Sequence, residues 1–148
     1  MKNGSTWLLV ADASKARLYS TQKARLFQEQ RPEDLKLLNQ FTHEDSRKKG
    51  IELATDKMGT FGSGVFVETT SPKVREAEQF AHELINHLET GRKQKHFREL
   101  ILVAPPAFMG MLNKYMPREV QKLLAQTIEK NYTEYNEKDL LQNLMHHL

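Results

Sequence analysis

The chain has 148 residues, 39% hydrophobic and 28% charged, which fits one globular domain around one core and excludes a disordered chain. It has no cysteine, so disulfides and thiolate metal sites are both excluded. The net charge of +3 is a mild basic bias, below that of a dedicated nucleic-acid binder. In chain order, TWLLVA (Thr6 to Ala11) is a short apolar run rich in strand formers and predicts a buried strand. The run is too short for a signal-peptide core, and no later run approaches a membrane span, so a cytoplasmic protein without membrane insertion is expected. DASK follows as a turn, with Asp12 and Ser14 able to bond the local backbone. ARLYST then resumes alternation, Leu18 facing away from Arg17 and Tyr19, and completes a hairpin. LKLLNQFTH (Leu35 to His43) predicts a third strand with Leu35, Leu37, Asn39 and Phe41 on one face and Leu38 and Gln40 on the other.

Between Arg47 and Gly64 the sequence RKKGIELATDKMGTFGSG carries neither helix nor strand signal and reads as an extended, glycine-rich loop. From Ser71 the period changes. Ser71 is an N-cap with Pro72 in the first helical position, and Val74, Ala77, Phe80, Ala81, Leu84, Ile85 and Leu88 recur at three and four residues. Gly91 is the expected stop. ELILVAPP (Glu99 to Pro106) predicts a central strand covered on both faces. A helix follows through Phe108, Met111, Leu112 and Tyr115, restarts at Pro117, and carries Val120, Leu123 and Leu124 on its apolar face. AQTIEKNYT is a candidate last strand, and Asn136 caps a final helix containing Leu140, Leu141, Leu144 and Leu148. The order β-β-β-α-β-α-β-α, with three antiparallel strands followed by right-handed crossovers, gives a mixed α/β sheet with helices on its faces. That order resembles ribonuclease-H-like folds, and residues 1–148 read as a single domain.

WLLVADASKARLY, HEDSRKKGIELATDKMGTFGSG, ELILVAPPAFMGML and IEKNYTEYNEKDL together resemble the bacterial host attachment family, proteins required for attachment to host cells. The resemblance covers nearly the whole chain. In the segment KNYTEY, relatives more often read Lys-Asp-Leu-Thr-His, so Asn131 stands where that acid would be. The family is itself similar to the central domain of the archaeal and eukaryotic peptide-release factor. There a basic, glycine-rich loop after the third strand ends in Gly-Gly-Gln and assists ester hydrolysis in the ribosome. The equivalent stretch here offers Gly59, Gly62 and Gly64 around Phe61 and Ser63 without Gly-Gly-Gln, so the resemblance implies a binding loop lacking release chemistry.

Two groups of residues suit a nucleic-acid contact. In the loop, glycines allow close backbone approach to phosphate, Arg47, Lys48, Lys49 and Lys57 supply charge, and Phe61 can stack on an unpaired base. The second group is Arg92, Lys93, Lys95 and Arg98, within a stretch (Gly91 to Arg98) that contains no acid. Lys15, Arg17, Lys23 and Arg25 form a further basic set. The catalytic signals are weaker. Asp12 ends the first strand, where a two-metal nuclease would place a ligand, but Ala104-Pro105-Pro106 ends the fourth strand with no partner acid. Asp12 therefore reads as a turn-former or a partner of Arg17. The six histidines include no i, i+4 zinc pair, and GTFGSG lacks the strand and lysine of a phosphate loop. No catalytic residue, metal or cofactor is expected. The sequence leads to a non-enzymatic RNA- or ribosome-associated adaptor or occlusion factor, with tRNA as another partner. The family name adds a role, direct or indirect, in host-cell attachment, and a hydrolase centred near Asp12 is the third reading.

Overall fold

The structure, a computed structural model, describes residues 5–43 and 71–148. All six residues of β1 (Thr6–Ala11) are buried, because Trp7, Leu9 and Ala11 face one apolar cluster while Leu8 and Val10 face another. An antiparallel hairpin joins β1 to β2 (Lys15–Thr21), and β2 pairs antiparallel with β3 (Lys36–Thr42). On the other side, β1 pairs parallel with β4 (Glu99–Val103), which pairs parallel with β5 (Leu124–Ile128). The result is a five-stranded mixed sheet in the order β3-β2-β1-β4-β5.

Helices cover both faces. The long α2 (Pro72–Lys93) and α3 (Pro106–Tyr115) pack on the Trp7/Leu9 side through Phe80, Leu84, Leu88, Phe108 and Leu112. Each large side chain buried there contributes roughly 1.5–3 kcal/mol. The Ser71 hydroxyl accepts from the Val74 N–H at 3.2 Å, so the expected N-cap is present. Val74 departs from the expected stripe, being 39% exposed in the first turn. A short α1 (Lys23–Glu29) and α5 (Glu137–Leu144) cover the Leu8/Val10 side through Leu26, Leu140, Leu141 and Leu144. The Asn136 cap is as expected, its side chain accepting from the Asp139 N–H at 2.8 Å. Leu148 lies beyond the helix, partly buried against its cluster.

Several expectations need correcting. α1 and a 3-10 turn at Pro32–Asp34 lie between β2 and β3, where the sequence pattern predicts no element. Gly91 does not stop α2, which runs on to Lys93; Gly91 is buried inside it against Trp7. The helix restarted by Pro117 is the single turn α4 (Arg118–Gln121), and Leu124 opens β5 instead of extending a helical face. β4 ends at Val103, and Pro106 begins α3.

The largest correction concerns β3. Its pairing with β2 shifts between Leu18 and Tyr19, so that Leu18 faces Asn39 but Tyr19 faces Leu37. Leu38 is the extra residue of a bulge, and the two halves of the strand exchange faces across it. Leu35 joins the Tyr19 cluster, whereas Phe41 packs against the opposite one, and Leu37 and Leu38 are 42% and 47% exposed.

Candidate functional site

The carboxyl end of β1 gathers the polar residues nearest to a site. One Asp12 carboxylate oxygen accepts from the backbone N–H groups of Ser14 and Lys15 at 2.8 and 2.9 Å, which makes Asp12 the turn-former between β1 and β2. Its other oxygen accepts from the Thr133 hydroxyl at 2.8 Å. The Thr133 N–H donates to Asn131 Oδ1 at 3.1 Å, which turns that amide oxygen toward the same hydroxyl, 2.7 Å away. One hydroxyl proton therefore serves two acceptors, Asp12 and Asn131.

Arg17 does not pair with Asp12. Its guanidinium donates to the backbone carbonyls of Thr133 at 3.2 Å and Tyr135 at 2.7 Å, and to the Tyr19 hydroxyl at 2.7 Å. Its acidic partner is Glu137, at 3.6 Å. The fully buried Tyr19 donates its hydroxyl proton to Glu137 at 2.7 Å. Burial and that hydrogen bond push the Tyr19 phenol far above its ordinary range, and the same bond holds the Glu137 carboxyl below its own. Lys15 forms an ion pair with Glu134 at the rim. Of these residues, Lys15, Arg17, Thr133, Glu134 and Tyr135 line a cleft of about 350 Å³ between the start of β2, the end of β3 and residues 133–136.

The arrangement is a clamp. Arg17 directs its donors at the protein itself and fixes the segment after β5 to the sheet, and Asp12 completes a turn. Among the described residues, no group of three or more His, Cys, Asp or Glu side chains is placed to hold a metal ion.

Of the basic residues singled out from sequence, Arg47, Lys48, Lys49, Lys57, Gly59, Phe61, Gly62 and Gly64 lie outside the described residues. Arg92, Lys93, Lys95 and Arg98 sit at the opposite end of the sheet from Asp12 and Arg17, about 20 Å away by the length of β1. Arg92 grips Glu89 with two bonds of 2.9 Å, and Lys93 lies 3.9 Å from the same carboxylate. The Arg92 hydrogen bond lowers the Glu89 pKa, and Lys93, Lys95 and Arg98 are all exposed. Sequence reasoning missed Tyr19, Thr133, Tyr135 and Glu137. The alternating spacing of Thr133, Tyr135 and Glu137 after a strand was the available signal.

This architecture defines a small mixed α/β domain with a clefted carboxyl sheet end. The family of proteins required for attachment to host cells matches residues 7–144, and the chain belongs to that family. An uncharacterized protein of Rickettsia prowazekii (strain Madrid E) is 31% identical over 96 residues, 64% of this chain and 63% of the relative. The chain thus spans less than two thirds of the curated relative it matches.

Proposed function

We infer that the protein supports attachment to host cells as a binding domain without catalytic chemistry of its own. The family match over residues 7–144 carries this reading. The self-satisfied hydrogen bonding of Arg17, Tyr19 and Glu137 supports the non-catalytic part, since a general base or nucleophile needs a partner it can give up to substrate. A strain lacking the gene should adhere less to host-cell monolayers and recover when the wild-type chain is restored. Unchanged adherence in the deletion strain would overturn the reading.

A second reading is an adaptor for ribosomes or tRNA in the cytoplasm, related to the release-factor central domain. A ribonuclease-H-like reading of the fold is supported by three antiparallel strands followed by two parallel ones. The cationic Arg47, Lys48 and Lys49, in the same stretch as Gly59, Gly62 and Gly64, favour a polyphosphate partner. Co-sedimentation with ribosomes at low salt, lost at high salt and in the triple substitution of those cations, is the expected result. Sedimentation unaffected by the substitution removes this reading.

A further inference from the structure

The chain leaves α2 through a left-handed residue that is not glycine. Lys95 has φ 60°, its N–H donates to the Arg92 carbonyl, and the N–H of His96 reaches back to the Gly91 carbonyl, both at 2.9 Å. A helix ending of this form usually places glycine at its left-handed position, because a Cβ is strained there. Such strain persists where the side chain has another use. Arg92 and Lys93 already neighbour Glu89 and answer the negative end of the helix, so that end has its cations without Lys95.

The topology brings further cations to the same end of the sheet. Arg98 and Lys122 lie just before β4 and β5, each two residues ahead of the paired Leu100 and Leu124. Neighbouring strands run about 4.8 Å apart, so the two positions are side by side. Arg118 lies one turn earlier, its carbonyl accepting from the Lys122 N–H at 3.0 Å, in α4, which packs against α2. Lys95, Arg98 and Arg118 are exposed and form no ion pair with a described residue, and Lys122 meets only the exposed Glu119, at 3.5 Å. The exposed large hydrophobic side chains among the described residues, Phe27, Leu37, Leu38 and Val74, all lie on other elements. The surface thus offers a row of free cations with no apolar anchor for a bilayer and no exposed Phe, Tyr or Trp for an unpaired base. We propose that it binds a sulfated polysaccharide, with sulfate groups on Lys95, Arg98 and Arg118. The choice of a glycan among polyanions rests on the attachment reading, because sulfated polysaccharides coat host-cell surfaces.

The test is titration of the full chain with a heparin octasaccharide, followed by backbone amide shifts, with the desulfated octasaccharide (carboxylates only) and a short RNA duplex in parallel. Saturable shifts at Lys95, Arg98 and Arg118 are expected with heparin, lost on desulfation and weakened by added salt. Lys95→Gln, Arg98→Gln and Arg118→Gln, all at exposed positions, should each weaken binding about two- to fivefold, and together at least about tenfold. Lys95→Gly separates capping from binding: it should keep or raise the melting temperature and weaken heparin binding as Lys95→Gln does. Equal affinity for the desulfated chain, tighter binding of the RNA duplex, or affinity unchanged in the triple variant or in Lys95→Gly would overturn the proposal. The attachment reading fails separately, on the adherence of the deletion strain, whatever heparin does.

Discussion

Gly91 sits within α2 because the Trp7 indole leaves no room for a side chain. A Cβ there would overlap the ring carbons Cζ3 and Cη2. The indole is stacked on Phe97, with centroids 4.5 Å apart, and is flanked by His87, so it has little freedom to withdraw. Gly91→Ala should cost about 1–3 kcal/mol despite its better helix propensity. Gly110, in α3, faces open space, and a Cβ added there would meet nothing within 4 Å. Gly110→Ala should therefore stabilise by about 0.5–1 kcal/mol. Urea denaturation of the two variants should show midpoints moving in opposite directions.

His87 is a second residue whose packing sets a measurable property. It stacks on Trp7, meets the edge of Phe41, and lies 3.4 Å from the Asn39 amide. Burial lowers its pKa, Glu83 opposes that shift, and His96 adds to it. As pH falls below the ordinary histidine value of 6.5, the unfolded chain takes up a proton that the folded one refuses. Stability should therefore begin to fall below about pH 6.5, before the carboxylates titrate, and His87→Gln should remove that first decline. Thermal melts between pH 7 and pH 5, roughly the histidine range, would show the difference.

Among the elements, β3 separates what was legible in the sequence from what was not. Its existence and span were readable from the alternation of LKLLNQFTH, but its faces were not, because a bulge leaves no mark on a single strand's pattern. Leu35, Leu37 and Leu38 look alike in sequence, yet only Leu35 is buried. Leu35→Ala should cost about 2–5 kcal/mol, whereas Leu37→Thr and Leu38→Thr should stay within about 0.5 kcal/mol. The caps at Ser71 and Asn136 were legible because capping is local in sequence. β5 was only half legible, since its alternating LAQTI follows a helical turn without a glycine between them. The Asp12 turn could be read from neighbours two and three residues away. The clamp could not, because the backbone carbonyls that Arg17 binds lie 115 to 118 residues later.

At the scale of the whole molecule, Arg17 ties the last segment to the central hairpin. Its side chain is 18% exposed, and removing it strands the carbonyls of Thr133 and Tyr135, while Tyr19 and Glu137 keep their own hydrogen bond. Arg17→Leu should cost about 1–3 kcal/mol. Hydrogen exchange should rise first in residues 131–137 and in α5, before β1 and β4. A uniform rise across the sheet would show that the segment is held by other contacts.

The parallel pairing of β1 with β4 carries a kinetic consequence. Thr6 and Glu99 lie side by side although 93 positions separate them along the polypeptide. The middle strand therefore stays half unpaired during synthesis until β4 has emerged, and the entropic penalty of closing so wide a loop falls before any reward from that contact. The hairpin made first is a template awaiting its partner, and the sheet closes late.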